Sequence, residues 1–371
     1  MNTLVSALSV DTVRDLVRPV VKGVSVYLGL QPRYPTLDAS ADLDLRWRTL
    51  AARLATEHAD AATLAAVTDR LAAIGPIPQE LAVFARHGDV LLAQPIPGGP
   101  RFDRAHFGAP ASVIPLLGWL QQHPSHVVVV TDRTGADITT VPEGAGSGST
   151  SAVAGPDDEI ERNAPGGWAQ PRYQRRAEDS WRHNAAAVAA ATVHAVHEVD
   201  AGLVLVAGDV RAVQLLRHQL APLIRHGLAI RQLPGGRAPD GSATGRAAAI
   251  VTAVREHAGH QTAALLSALD RHGGPHGTAS YGAKATMTAL AAGRVRTLFV
   301  ADRPEDRRTW SPGAQVREAA QLGHPAAGTQ STRGRLVDVA VRAALLTGAQ
   351  VRVVEPGTVP EDIAALRRFP A

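Results

Sequence analysis

The sequence predicts an α/β protein made of three domains. Short runs rich in valine, typical of strands buried on both faces, alternate with longer stretches whose apolar residues recur every three or four positions, as in helices. The chain has 371 residues, of which 45% are hydrophobic and 19% charged, enough apolar material for two or three domains. Two breaks, at Pro124 and in the polar stretch after Gly236, place the domains at residues 1–124, 125–240 and 241–371.

In the first domain, short β-type runs and helical patterns alternate. The two runs on either side of the tetrapeptide Arg86-His87-Gly88-Asp89 predict a hairpin, because this tetrapeptide is rich in turn-forming residues. The predicted strands are Val24–Leu28, Leu81–Ala85 and Val90–Ala93, and the predicted helices are 42–58 and 113–122.

The second domain begins with two strands, His126–Thr131 and Ala136–Val141, joined by a turn. A segment rich in Gly, Ser, Pro and Ala, from about Pro142 to Pro171, is predicted to be a long loop without secondary structure of its own. A long helix from Arg172 to about Val199 follows, then the strand Leu203–Val206 and a helix capped by Asp209. This alternation predicts a mostly parallel sheet covered by helices.

The third domain contains two copies of one plan, in which a helix ends at a glycine and a strand follows. Gly293 ends the first helix and Gly348 the second, as expected where a helix needs a left-handed residue at its end. The predicted helices are Ala283–Ala292 and Leu336–Leu346, and the strands are Val295–Val300 and Val351–Val354.

Composition excludes several classes of site. Because the chain has no cysteine, disulfide frameworks, thiolate zinc sites, iron–sulfur clusters and a cysteine nucleophile are excluded. No run of about 18 apolar residues occurs and charges interrupt the N-terminal stretch, so we expect a cytoplasmic protein without a membrane partner. His194 and His197 lie three apart, unlike the zinc-peptidase spacing, and the nucleotide-binding glycine patterns are absent. We therefore expect no metal and no cofactor.

The segment Pro165 to Arg176 carries the strongest functional pattern. Gly166 and Gly167 allow a backbone to approach a ligand closely, and the amide of Gln170 is able to position a water molecule. Arginines surround this tip at a helix start, where phosphate binding is favoured: Arg162, Arg172, Arg175 and Arg176. The alternative is a disordered loop with a solvated helix start. Since 36 of the 38 basic residues are arginines, codon bias also explains part of the arginine content.

This order of elements resembles the archaeo-eukaryotic release factors and pelota, specifically their bacterial relatives. The resemblance rests on Gly166-Gly167 before an arginine-rich long helix, on the segment Tyr281 to Val300, and on the closing Ile363 to Phe369. It implies an eRF1/pelota-like arrangement of three α/β domains. In this arrangement the first domain lies on the decoding-site side, the central domain is RNase H-like with a long Gly-rich loop, and the C-terminal domain is L7Ae/L30e-like and lies on the GTPase-binding side.

The sequence departs from that family at the loop tip, where Trp168 stands in place of the catalytic glutamine. Two kinds of relative also differ from the catalytic release factors at this loop tip. Balon-type ribosome hibernation factors lack the catalytic tip, and Vms1- and ANKZF1-type peptidyl-tRNA hydrolases carry a Gly-x-x-Gln pattern, which Gly167 and Gln170 satisfy.

The resemblance therefore implies a ribosome-binding translation factor homologue that occupies the A site, acting in hibernation or rescue and not as an enzyme. Its partners would be the ribosome through rRNA, the tRNA acceptor end and the translational GTPase EF-Tu. Arg162, Gly166, Gly167, Trp168, Arg172, Arg175 and Arg176 would bind RNA. The alternative is a peptidyl-tRNA hydrolase with Gln170 as its catalytic residue, and a metabolic α/β enzyme is a third reading. Codon-specific termination is not expected, because the first domain contains no Asn-Ile-Lys-Ser segment.

Overall fold

The computed structural model describes residues 8–30, 38–74, 80–96, 103–154, 170–224, 227–237, 242–274, 277–311 and 333–369. The chain divides into two compact units. Unit 1 combines Met1–Gln121 with Gln261–Ala371, and unit 2 is the continuous stretch Gln122–His260. Helices and strands are present in both units, which confirms the α/β class, whereas the division into three domains stays a prediction.

The N-terminal half of unit 1 is an antiparallel sheet with helices against it. Its strands lie in the order β3-β2-β1-β4. The elements are α1 (Val10–Val17), β1 (Gly23–Gly29), α2 (Ala39–Thr56), α3 (Ala61–Ile74), β2 (Glu80–Arg86), β3 (Asp89–Ile96), β4 (Arg104–Gly108) and α4 (Ile114–Gln122). The predicted hairpin is confirmed: His87 and Gly88 both have positive φ angles, 52° and 83°, as a two-residue turn between twisted strands requires.

The C-terminal half of unit 1 contains a second sheet with strand order β10-β15-β11-β14. The elements, from α7 (Ser242–Arg271) onward, are β10 (Ala279–Tyr281), α8 (Gly282–Ala291), β11 (Val295–Ala301), β12 (Thr309–Trp310), β13 (Gly334–Arg335), α9 (Leu336–Leu346), β14 (Gln350–Val354), a 3-10 helix (Pro360–Asp362) and β15 (Ile363–Arg367). The predicted helix–glycine–strand plan is confirmed twice, and the two strands it produces, β11 and β14, run parallel.

One hydrophobic core joins the two halves of unit 1. It contains Tyr27 and Phe84 from the first sheet, Leu116 from α4, and Leu298 and Val341 from the second sheet and α9. The Tyr27 hydroxyl donates a hydrogen bond of 2.9 Å to the carbonyl of Ser112. Residues distant in sequence therefore depend on one another for burial of their apolar side chains.

Unit 2 is a five-stranded sheet with order β7-β6-β5-β8-β9. Its elements are β5 (His126–Thr131), β6 (Gly135–Val141), β7 (Ser149–Ala154), α5 (Gln170–Glu198), β8 (Leu203–Gly208), α6 (Val210–Ile224), β9 (Ala229–Gln232) and the beginning of α7. Helices α5 and α6 cover one face through Val188, Val196 and Leu216, and Ala253 and Val254 of α7 cover the other.

Two expectations for this unit are wrong. The sheet is mixed instead of mostly parallel, because β6 and β7 return as antiparallel hairpins beside β5, and only β5, β8 and β9 run parallel. The segment from Pro142 to Pro171 also contains secondary structure, since β7 (Ser149–Ala154) pairs with β6 along its length. Strand β7 is an edge strand whose side chains are exposed or half-buried, so it lacks the apolar alternation that identifies strands in a sequence. The remainder of the predicted loop, from 155 to 169, lies outside the described residues.

Within the described ranges, no helix combines the length and the apolar character needed to cross a membrane.

Candidate nucleic-acid interface

The carboxyl ends of β5 and β8 form the edge of unit 2 where a ligand site is expected. The two strands are parallel neighbours. From β5 the chain continues to β6 on one side, and from β8 it continues to β9 on the other. Such a point, at which neighbouring parallel strands lead in opposite directions, leaves a crevice outside their carboxyl ends.

The turn after β5 is fixed by Asp132. Its Oδ1 atom accepts hydrogen bonds from the backbone N–H groups of Thr134 (2.7 Å) and Gly135 (3.1 Å) and from the Thr134 hydroxyl (2.8 Å). Burial acts to raise the pKa of Asp132, but these hydrogen bonds and the nearby Arg237 guanidinium outweigh it and hold this pKa below its usual value. The turn presents Arg133 to solvent.

The start of α6, after β8, lies at the same edge. Asp209 caps this helix by accepting hydrogen bonds from the N–H groups of Arg211 (2.9 Å) and Ala212 (3.2 Å), as its position in the sequence predicts. The preceding Gly208 has φ of 132°, and a Cβ atom added there would lie 1.8 Å from the carbonyl oxygen of Thr131. The edge therefore requires glycine at this position.

Helix α5 contacts both of these turns. Asn184 is buried, and its Nδ2 atom donates a hydrogen bond of 2.7 Å to the Arg133 carbonyl. Its Oδ1 atom has no hydrogen-bond partner among the described residues. One turn earlier, the Trp181 ring lies under the Arg211 guanidinium, whose central carbon is 5.6 Å from the ring centroid. Arg182, beside Trp181, is exposed.

We call the group Arg133, Trp181, Arg182, Asn184 and Arg211 the carboxyl-edge surface. It combines three exposed arginines with an aromatic ring, and the buried Asn184 amide holds the Arg133 turn in place. Arginine forks suit phosphate oxygens, and aromatic rings suit bases. The arrangement is therefore chemically suited to a nucleic-acid strand.

Arg237 lies close to this surface but has a structural role. Its Nε and Nη2 atoms each donate a hydrogen bond of 2.9 Å to the Asp137 carboxylate, and Nη1 lies 3.5 Å from Asp132. These two carboxylates neutralise the guanidinium, which fixes the segment after β9 to the β5–β6 hairpin.

The residues predicted to form the site lie between Arg133 and Trp181 in the chain. Arg162, Gly166, Gly167 and Trp168 lie outside the described residues. Gln170 is the first residue of α5, and Arg172, Arg175 and Arg176 occupy its first two turns, but their side chains also lie outside the described part of the structure. Along the helix axis, Arg175 precedes Trp181 by about 9 Å at about 1.5 Å per residue.

Sequence reasoning missed the carboxyl-edge surface. The sequence predicts Asp209 as a helix cap, but it assigns no binding role to Trp181 or Arg211. The available signal was positional, since Arg133 and Arg211 each follow the end of a buried strand. His194 and His197 are exposed on α5, and the described residues contain no group of three or more His, Asp or Glu arranged to hold a metal ion.

Comparison with known proteins extends these observations. Residues 125–275 match the family model of bacterial archaeo-eukaryotic release factor family 2. The uncharacterized protein Rv2629 of Mycobacterium tuberculosis H37Rv is 27% identical over 184 residues, and MT2704 of strain CDC 1551 matches equally. The match covers 48% of this chain and 48% of each relative, so the chain spans about half the length of the curated relatives it matches.

Solved structures similar to the chain include an archaeal termination factor aRF1 (TM-score 0.24, 16% identity, covering 97% of this chain and 96% of the other). Dom34 of Saccharomyces cerevisiae, a termination-like factor, gives a TM-score of 0.41 at 10% identity over 73% of this chain and 75% of its own. An archaeal Pelota described as ribosome-bound with ABCE1 gives 0.39 at 15% identity over 99% and 96%.

The segment matched by the family model includes every residue of the carboxyl-edge surface and the whole of α5. The chain is therefore bacterial archaeo-eukaryotic release factor-like over residues 125–275, which confirms the resemblance that its glycine pair and its long helix predict.

Proposed function

We propose that this chain is a ribosome-associated translation factor homologue that binds RNA through the carboxyl-edge surface and the adjoining residues 162–176, which include the start of α5. The observation that carries the proposal is the release factor family match, which covers the same residues that form this surface. Within that function we propose a role in hibernation or rescue at the A site, because Trp168 stands where the catalytic glutamine of release factors is expected.

The charge of the surface supports RNA as the ligand. Arg175 and Arg176 belong to the first two turns of α5, the helix that also carries Arg182. Contacts of this kind to phosphates position a protein without reading sequence. They also release counterions, so the binding constant falls steeply with salt.

Ribosome cosedimentation tests the proposal. We expect the full chain to sediment with ribosomes at about 50 mM salt and to be largely released at about 200 mM. The double variant Arg175→Glu, Arg176→Glu should lose most of this binding at low salt. The matched control is Arg70→Glu with Arg255→Glu, two exposed arginines on α3 and α7 outside the proposed surface. Absence of wild-type cosedimentation at low salt, or equal loss in both variants, would contradict the proposal.

A second function, peptidyl-tRNA hydrolysis, is favoured by the position of Gln170. This residue is the first of α5, directly after the loop, and it completes the pattern Gly167-x-x-Gln170. Release of labelled peptide from stalled ribosome complexes separates the two functions. For a hibernation or rescue factor we expect no multiple-turnover release, and Gln170→Ala should bind ribosomes like wild type. Release that disappears in Gln170→Ala would establish the hydrolase instead.

EF-Tu and the tRNA acceptor end are the two other partners we propose, because the resemblance to the release factor family implies them. EF-Tu would contact residues 241–371, and a tRNA acceptor end would lie near the loop tip at Gly166 and Gly167. We expect EF-Tu to copurify with the full-length protein. Charge reversals within residues 241–371 should abolish this copurification, and Arg175→Glu with Arg176→Glu should keep it.

A further inference from the structure

A second group of arginines lies in unit 1, where β11 begins and β15 ends. Arg294 and Arg296 belong to the first segment, and Arg367 and Arg368 to the second. The backbones of the two segments are hydrogen-bonded neighbours: the N–H of Arg368 donates to the Arg294 carbonyl at 2.7 Å, and Val295 pairs with Arg367. We call these four residues the arginine cluster.

A β-bulge places Arg296 in this cluster. The register between β11 and β15 passes from Val295 opposite Arg367 to Thr297 opposite Leu366, so Arg296 is an extra residue without a partner on β15. It is also the exposed residue in a strand that is otherwise buried from Val295 to Ala301. Bulges of this kind redirect a side chain and are frequent beside functional sites.

The cluster carries positive charge that no carboxylate of the described residues neutralises. The Arg367 guanidinium donates hydrogen bonds to the backbone carbonyls of Gly277 and Thr278. The Arg368 guanidinium donates to the carbonyls at the ends of α8 and α9, which offset part of its charge. The side chains of Arg294 and Arg296 are exposed and form neither a hydrogen bond nor an ion pair with the described residues.

An exposed aromatic ring adjoins the cluster. Phe369 directly follows Arg368, and 66% of its surface is accessible to solvent. A phenylalanine exposed to this extent loses the free energy that burial would provide. Beside several arginines, such a ring forms the platform on which an unpaired base stacks.

We propose that the arginine cluster and Phe369 bind a segment of single-stranded RNA. The guanidinium groups of Arg294 and Arg296 contact its phosphates, and a base stacks on Phe369. A single strand fits better than a duplex, because stacking on a side chain requires an unpaired base. This RNA contact is separate from the carboxyl-edge surface, since it lies in unit 1 and uses none of the same residues.

The test uses full-length protein and a fluorescein-labelled oligoribonucleotide of about 12 nucleotides of mixed sequence, with binding followed by fluorescence anisotropy. Arg294→Glu with Arg296→Glu should weaken binding at least about tenfold, and the slope of log K against log salt should decrease in magnitude by about 1.4, or about 0.7 for each lost phosphate contact. Phe369→Ala should weaken binding about fivefold or more, through loss of stacking. These substitutions leave the fold intact, because none of the three side chains has a hydrogen-bond or ion-pair partner among the described residues.

Two comparisons separate this site from others. The control Arg70→Glu with Arg255→Glu should bind the oligonucleotide like wild type. When Phe369→Ala is added to Arg175→Glu with Arg176→Glu, it should lower the oligonucleotide affinity by the same factor as in the wild type. Ribosome binding that fails while the oligonucleotide results hold would overturn the proposed function and leave this site standing. Unchanged RNA affinity in Arg294→Glu with Arg296→Glu would overturn the RNA proposal. Binding of poly-glutamate as tightly as of the oligonucleotide would also overturn it, and would indicate an acidic protein as the partner.

Discussion

Replacing Gly208 by alanine is expected to destabilise unit 2 by about 3 kcal/mol or more. The φ angle of 132° is unfavourable for a residue with a side chain, and the added Cβ would lie 1.8 Å from the backbone oxygen of Thr131. A backbone atom cannot move aside without disturbing the pairing of β5 with β8. The hydrogen bond of 3.0 Å from the Asp209 N–H to the same oxygen would be lost as well. Urea denaturation followed by circular dichroism measures the loss.

Gly259→Ala is the matched control for this substitution. Gly259 lies within α7, and a Cβ atom added there would meet nothing within 4 Å. Alanine in a helix interior is more stable than glycine by about 0.5 to 1 kcal/mol, so this variant should be slightly more stable than wild type. If Gly208→Ala unfolded at the same urea concentration as wild type, the close approach of β8 to Thr131 described above would be wrong.

Glu80→Gln is expected to stabilise unit 1, and increasingly so as the pH rises. Glu80, at the start of β2, is only 5% exposed, and neither of its carboxylate oxygens has a hydrogen-bond partner among the described residues. Burial, reinforced by Asp103 and opposed by Arg104, raises the pKa of Glu80 to about 8 from an ordinary value of 4.5.

The sign of the pH dependence follows from this shift. Between pH 4.5 and about 8 the folded protein retains a proton that the unfolded chain releases, so wild-type stability decreases as the pH rises through this range. At pH 7, about 2.5 pH units above the ordinary value, the loss is on the order of 3 kcal/mol, at about 1.4 kcal/mol for each pH unit. Glutamine has the same shape and no charge, so its advantage should be small at pH 5 and largest at pH 8.

Thermal unfolding at pH 5 and pH 8 measures this difference. Glu305→Gln, at an exposed position without an ion pair in the described structure, serves as control and should change the melting temperature little at either pH. A gain for Glu80→Gln that is the same at pH 5 and pH 8 would show that Glu80 is ionised in the folded protein throughout this range.

Sequence alone predicts the elements that are bounded by residues with a clear turn or helix-end preference. The hairpin at His87-Gly88 and the helix ends at Gly293 and Gly348 follow from turn residues that take positive φ angles, and the structure has all of them. The elements missed, such as β4 and β7, lack buried apolar side chains along their length. They form strands because a neighbouring strand offers hydrogen-bond partners, and a local pattern does not record that.

The carboxyl-edge surface was beyond sequence reasoning for a different reason. Arg133, Trp181 and Arg211 are separated by about thirty residues or more and meet only because β5 and β8 are neighbours and α5 crosses their ends. The antiparallel direction of β6 is local by contrast: the tight turn from Asp132 to Gly135 joins β5 to β6, as the sequence predicts.

The division of the chain into one continuous and one discontinuous unit has a consequence for its synthesis. All residues of unit 2 have been translated once His260 has been added. Unit 1 must wait, because its shared core needs side chains as late as Ile363 and Ala365, which pack with residues from the first third of the chain. Until then, nascent protein exposes apolar surface around Tyr27 and Phe84. Slow translation after residue 260 should therefore favour chaperone binding to the N-terminal segment over completion of the fold.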